Sequence, residues 1–458
     1  MRAFKLLMAL ALLCTVVGPL RSDLPSWAWS WWLLAAVVGC AVLMASSKTA
    51  CAPHHGAGAS AAEPRLHSQD LRHRLGPALA MLGAAGVIDL LMCLWHGGGW
   101  DILRQDGKVV LALPMAWAVV VVLGLKHGHG AQVAPGSTTM KGAAGAAGGV
   151  GSPGQTAALH EALCWALGLQ MAVALAVALC WPRAWLPATS IPWATAVALN
   201  MAVLAPLVLA PRGDAPPFPE GRAWRIGLGL AVLAGAVAVV LSRSRAAWLV
   251  LPWLGVLAVV FSPRRLPTAA AAGALGAMAL AAGLWYDSQQ AAQVERGIRL
   301  LDLAQELAQL GQPDASTSVG SRLVLWEAAW NSLWAHPWTG IGVDQRIALV
   351  QAVVPPETLR DVAPLVHVHQ QFLNQAVDHG LPGLMAALLC AAAPFALAWR
   401  AGSRTMRWQC LGVGVVHGVG LLFNANMTHG TYAVNLALSL MAIIWMQASA
   451  DAVGGQHG

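Results

Sequence analysis

The chain has 458 residues, of which 57% are hydrophobic and only 10% charged. Soluble domains carry roughly 25% charged residues, so the composition excludes an ordinary soluble enzyme and points to a polytopic membrane protein. The formal net charge of +7 does not signal nucleic acid, because the basic residues stand singly between apolar runs, where membrane topology accounts for them.

A membrane span needs about 20 apolar residues. Twelve segments meet that length: 4–20, 27–45, 75–95, 109–125, 159–181, 191–210, 224–241, 246–262, 267–285, 381–399, 408–424 and 431–448. The first follows Met1-Arg2-Ala3-Phe4-Lys5. Leu12 and Leu13 are too large for a lipoprotein-type cleavage site before Cys14, and no A-x-A site follows, so this segment reads as a retained helix and not a signal peptide. Residues 46–70 and 126–157 are rich in Ala, Gly and Ser with scattered histidines, and read as flexible connectors. The eight cysteines form no CxxC pair and mostly lie within apolar spans, which supports neither a disulfide framework nor a zinc site.

Orientation follows from Lys/Arg asymmetry. With Met1 in the cytoplasm, 16 of the 27 basic residues fall at short inner loops or inner span ends, and only Arg21, Arg104, Lys108, Arg183, Arg243 and Arg245 at short outer ones. The remaining five lie in residues 286–380, which this orientation places outside the membrane on the extracytoplasmic face. The expected fold class is therefore all-α: about 12 transmembrane helices with one large extracytoplasmic helical loop. Nine spans occupy 1–285, the loop 286–380, and three more spans 381–458.

The loop holds most of the candidate chemistry. Periodic apolar residues predict an amphipathic helix in 293–310, and a second helix in 322–335 where Leu323, Trp326, Trp330, Leu333 and Trp334 make one broad stripe. That stripe reads as packing on the bundle or lying in the headgroup layer. Ahead of the loop, Ser242-Arg243-Ser244-Arg245 puts two guanidinium groups at an outer boundary, where basic residues are disfavoured. With Arg322 in the loop, they suggest a site for a membrane-bound anion, since the planar arginine fork binds phosphate through paired, charge-assisted hydrogen bonds. His367-x-His369 lacks a third ligand at close spacing, so no metal site is expected there.

The combination of SRAAWL (244–249), SRLVLWEAAW (321–330), HPWTGIG (336–342) and HVHQQFLNQAVDHGLPG (367–383), in that order, resembles the O-antigen ligase and polymerase family. The resemblance implies a GT-C type glycosyltransferase of the bacterial inner membrane with its site on the periplasmic face. Such an enzyme moves a glycan from undecaprenyl diphosphate to a hydroxyl acceptor such as lipid A–core, using two arginines and a histidine, without metal or other cofactor. Carried over by motif, the catalytic residues are Arg245, Arg322 and His369, with Arg243, His367, Gln370 and Asp378 as further substrate-binding candidates. The family usually has Asn where this chain has Gln370, and often Glu where it has Asp378. Its partners would be the lipid-linked donor, the acceptor and membrane lipid, and no nucleic acid.

Alternatives within the family are O-antigen polymerase and protein (pilin) O-oligosaccharyltransferase. Many of the latter carry a further C-terminal soluble domain, whereas this sequence runs only about ten residues past its last span. A transporter or flippase would bury ionisable residues along a path through the membrane. Here only Asp89 and His417 sit well inside spans, which favours an enzyme.

Overall fold

A computed structural model of the chain describes residues 2–17, 30–31, 34, 65–97, 153–180, 190–210, 222–294, 319–354 and 366–454. The span expected at 109–125 and nearly all of the span at 27–45 and of the amphipathic stretch 293–310 lie outside the described residues, as do most of the two connectors.

Thirteen α-helices account for the described residues, with no strand among them. They are α1 (Arg2–Val17), α2 (Arg65–Trp95), α3 (Pro153–Cys180), α4 (Ser190–Leu209), α5 (Arg222–Leu241) and the single turn α6 (Arg245–Trp248). Then come α7 (Val250–Phe261), α8 (Arg265–Val294), α9 (Gly320–Ala335), α10 (Val343–Val353), α11 (Gln371–Trp399), α12 (Arg404–Phe423) and α13 (Gly430–Gly454). A 3-10 turn, Asn426–Thr428, links the last two. Six of these, α2, α3, α4, α5, α11 and α12, contain stretches long and apolar enough to cross a membrane, and shorter apolar helices run over Arg245–Phe261 and Gly430–Ile444. The protein is thus a helical membrane protein.

Helix α4 is apolar on all sides, and that is why it sits at the centre. Trp193, Leu199, Leu204 and Leu207 are fully buried, with α3, α5, α12 and α13 packed around them. Between these helices a buried amide group joins three elements: Asn200 Nδ2 donates to Gln170 Oε1 at 2.7 Å and to Asn435 Oδ1 at 3.1 Å. Packing and such interhelical hydrogen bonds, rather than hydrophobicity alone, hold helices together in lipid. Leu91, Leu94, Leu179, Leu230 and Leu388 point outward, as lipid-facing residues do.

Helix α11 begins at Gln371, ahead of the span expected from 381. Its first turns carry Gln371, Asn374, Gln375 and Asp378, all buried, so the segment is polar in composition yet enclosed by partners. The helix kinks at Gly380, whose φ of 66° and ψ of −153° leave the helical region. The kink frees the carbonyls of Val377 and Asp378, the second because Pro382 has no N–H to offer it. Both are taken by the neighbouring Gly-rich turn: Ile341 N donates to Val377 O at 2.8 Å and Gly342 N to Asp378 O at 3.0 Å. In return Leu381 N donates to Pro337 O at 2.7 Å. HPWTGIG and DHGLPG are therefore two halves of one backbone clasp.

The stripe on α9 divides by face. Leu325, Ala329 and Leu333 are buried, and the first two join Val350, Val354, Val368 and Val377 in a small core of their own. Trp330 and Trp334 are exposed and meet edge to face, with ring centroids 5.6 Å apart. Trp326 is half-buried and donates its indole N–H to Val368 O at 3.0 Å. One indole thus ties α9 to the histidine loop, while the other two stand clear of it.

Candidate active site

His369 lies in the short loop that enters α11. Its backbone adopts φ 54°, a left-handed conformation that L-residues avoid at a cost of about 1–3 kcal/mol. Several bonds hold the loop in this shape. Gln370 caps α11, its side-chain oxygen accepting from Leu373 N. Val368 N donates to Asn374 Oδ1 at 3.4 Å, and Trp326 takes the Val368 carbonyl. Nδ1 of His369 meets Asn424 Oδ1 at 3.1 Å.

Arg322, in the first turn of α9, is close enough to act on that imidazole. Burial first, and then the Arg322 charge, push His369 down to about 4, with the Asn424 hydrogen bond working in the opposite direction. Each cause has the expected sign, since desolvation and a nearby cation both disfavour imidazolium. At neutral pH His369 is an uncharged imidazole beside a guanidinium, which is a base next to an anion-binding group.

His367 is held differently. Its Nδ1 lies 3.2 Å from Arg346 Nη1, and because a guanidinium only donates, that nitrogen is the acceptor. Burial, then Arg346, His429 and His369, lower His367 to about 3. Arg346 also donates to Val366 O and, through Nε, to Asp378 Oδ1 at 2.6 Å. Asn374 Nδ2 reaches Asp378 Oδ2 at 3.4 Å. Asp378 is therefore enclosed and engaged by Arg346, and the ion pair fixes the loop from beneath.

The Ser242–Arg245 turn joins α5 to α6, and its serines build the turn. Ser242 Oγ donates to Val239 O at 2.6 Å and accepts from Ser244 N at 3.2 Å, while Ser244 Oγ accepts from Ala247 N and so caps α6. Trp248 donates to the carbonyls of Val239 and Val240 at 3.2 and 3.1 Å, which covers the end of α5. Arg243 at φ 56° and His369 are the two non-glycine residues with positive φ among the described residues. Arg243 and Arg245 are both half-buried, and α6 packs against α4 and against α12, the helix that runs out into Asn424.

The structure thus brings His369 and Arg322 together with Asn424, and places His367 and Asp378 on Arg346. Sequence reasoning did not single out Asn424, Asn426, Arg346 or His429. The first two carried a readable signal, a pair of amides between two apolar spans; the others depend on partners far along the chain.

Fold and site together define a class: a membrane-embedded helical protein in which a loop histidine, His369, lies near an arginine, Arg322, in the first turn of α9. Residues 230–388, a stretch that contains Arg245, Arg322 and His369, match the family model described as O-antigen ligase. The resemblance drawn from the motifs is thereby borne out. No curated protein matches the chain.

Proposed function

We propose that this protein is a periplasm-facing glycosyltransferase of the bacterial inner membrane that transfers a glycan from undecaprenyl diphosphate to a hydroxyl acceptor, lipid A–core. The observation that carries this reading is the pairing of an uncharged, buried imidazole, His369, with the Arg322 guanidinium inside the stretch matched to the O-antigen ligase family.

The reaction needs two things from the protein. The donor already has a good leaving group, so charge stabilisation on the departing diphosphate is required, together with a base for the acceptor hydroxyl. Arg322 and Arg245 bind the diphosphate, and Arg243 adds positive charge beside them. The acceptor oxygen attacks the anomeric carbon, its proton passes to His369, and the C–O bond to the diphosphate breaks with the electron pair leaving on the phosphate oxygen. A neutral imidazole can accept that proton, and Arg322, whose charge helps to depress its pKa, is also one of the groups that receive the leaving charge. His367 and Gln370 shape the loop wall facing the substrate, and Asp378 supports it through Arg346.

The test is deletion of the gene, with complementation by wild type and by His369→Ala. Loss of long chains from lipopolysaccharide, restored by wild type and not by the variant, is the expected result. Lipopolysaccharide that keeps its full chains would overturn lipid A–core as acceptor. Capped cores with single repeats would point to polymerisation, and loss of glycan from pili to protein glycosylation.

A further inference from the structure

Asn424 begins a chain of side chains that ends on a backbone carbonyl. Asn424 Nδ2 donates to Asn426 Oδ1 at 2.9 Å, and Asn426 Nδ2 to Thr195 Oγ1 at 3.0 Å. Thr195 Oγ1 lies 2.8 Å from Ile191 O, in the first turn of α4. All three polar side chains are buried, Asn424 at 3% exposure and the other two at 0%.

The direction of the chain can be read from its far end. A carbonyl oxygen only accepts, and two oxygens do not approach to 2.8 Å without a hydrogen between them. The one hydroxyl hydrogen of Thr195 is therefore spent on the helix, and towards Asn426 its oxygen can only accept. That requires Asn426 to present its amide NH2 to Thr195 and its carbonyl to Asn424. Asn424 must then present its NH2 to Asn426, which leaves its carbonyl oxygen facing His369. A carbonyl facing Nδ1 accepts, so Nδ1 must carry the hydrogen. Gly420 is what admits this arrangement, since a Cβ there would lie 2.5 Å from Asn426 Nδ2.

We infer that Asn424, Asn426 and Thr195 form a one-way hydrogen-bond relay that holds His369 as the Nδ1–H tautomer, so that Nε2 is the unprotonated nitrogen that accepts the acceptor's proton. The inference rests on the reading of His369 as base and deepens it. Asn424 is a positioning residue: it acts through the imidazole and touches no reacting atom. It does what an orienting carboxylate does for histidine in other hydrolytic and transfer sites, but without a charge. That difference matters. A carboxylate here would raise the imidazole pKa, whereas an amide fixes the tautomer and leaves the ring neutral beside Arg322.

The experiment is 15N NMR of the full chain in lipid nanodiscs with 15N-histidine labelling, the His369 resonances being assigned by difference against His369→Gln. A protonated Nδ1 and an unprotonated Nε2 are expected at neutral pH. The opposite tautomer, or an even mixture, overturns the relay. Two variants read the same signal. Asn424→Asp should keep the Nδ1–H tautomer and move the ring's titration up by at least ~1 pH unit, the shift expected of a carboxylate at hydrogen-bond distance. Thr195→Val removes the hydroxyl that sets the direction of the chain, and should convert one tautomer into a mixture in a protein that still folds. A titration unmoved by Asn424→Asp and a tautomer unmoved by Thr195→Val would each count against the inference. These readouts need no substrate. A relay seen by NMR with His369→Ala still active would sink the base assignment alone, and an inactive His369→Ala with the wrong tautomer would sink the relay alone.

Discussion

Arg346 and Asp378 form an ion pair at 2.6 Å with each side chain only 1% exposed, between α10 and the first half of α11. Removing one partner leaves a buried charge uncompensated, which costs about 3–5 kcal/mol. Arg346→Met and Asp378→Leu should each cut the melting temperature and the yield of folded protein in detergent. The double variant should recover much of the loss, because a well-packed apolar pair avoids the desolvation of both charges. A double variant no better than the singles would show that Arg346 matters chiefly through its bonds to Val366 and His367.

The clasp between the two Gly-rich motifs predicts a sharp contrast among glycines. A Cβ on Gly340 would lie 2.5 Å from the Asp378 carbonyl carbon, and one on Gly380 2.5 Å from Pro337 O, and both residues have positive φ. Backbone cannot retreat as a flexible side chain does, so the conformational strain alone, about 1–3 kcal/mol, understates the loss. Gly340→Ala and Gly380→Ala should fail to give folded protein at normal yield. Gly276→Ala, where nothing stands within 4 Å, should fold like the wild type.

His369 and His367 should separate by function and by pH. His369→Ala should abolish transfer while leaving expression and donor binding intact, and His367→Ala should cost much less. Equal effects of the two would refute the base assignment. In the folded protein His369 is neutral well above about 4, whereas an ordinary imidazole titrates near 6.5. Transfer should therefore persist through pH 6.5 and fall only as pH drops towards 4. For stability the sign is as follows: a lowered folded pKa means the unfolded chain binds the proton first. The stability held in the neutral ring is present above about 6.5, erodes as pH falls, and is gone below about 4. The slope of melting temperature against pH in that window should be shallower in His369→Gln.

The all-helical membrane architecture and the histidine–arginine pairing were legible because hydropathy and local motifs carry them. Much of what holds the site was not. Asn424 and His369 are 55 residues apart, and Arg346 and Asp378 are 32 apart. No periodicity within one element reports such a pairing. Gln371, Asn374, Gln375 and Asp378 fall within the stretch 286–380 assigned to the extracytoplasmic helical loop, although each is buried in helix α11. Hydropathy measures average polarity, and a polar helix face satisfied by Arg346 and by the Met427 backbone N–H looks no different from a solvated one. Nor does the SRSRAAW string show how its turn is built: the Ser242 hydroxyl donates to Val239 O and the Ser244 hydroxyl caps α6.

Transfer should survive an excess of chelator. Among the described residues no three His, Cys, Asp or Glu side chains come together as a metal-binding group. The two loop histidines are also committed elsewhere at Nδ1, His367 to Arg346 and His369 to Asn424. Loss of activity on chelation, restored by one particular divalent metal, would refute the metal-free mechanism.

Arg322→Lys and Arg245→Lys should each impair transfer strongly, by at least about tenfold, since a bidentate guanidinium–phosphate contact is worth more than an ammonium point charge. The two should differ in how they fail. Arg322 also depresses the His369 pKa through its charge, and lysine keeps that charge. The acid limb of the Arg322→Lys profile should therefore stay where the wild type's is, while Arg322→Gln, which removes the charge, should move it upward towards the ordinary imidazole value. Arg245→Lys and Arg245→Gln should both weaken donor binding with the acid limb unmoved. Measuring transfer against pH in proteoliposomes for all four variants separates a phosphate contact from a field effect. Full activity in both lysine variants would remove the arginines from the diphosphate site altogether.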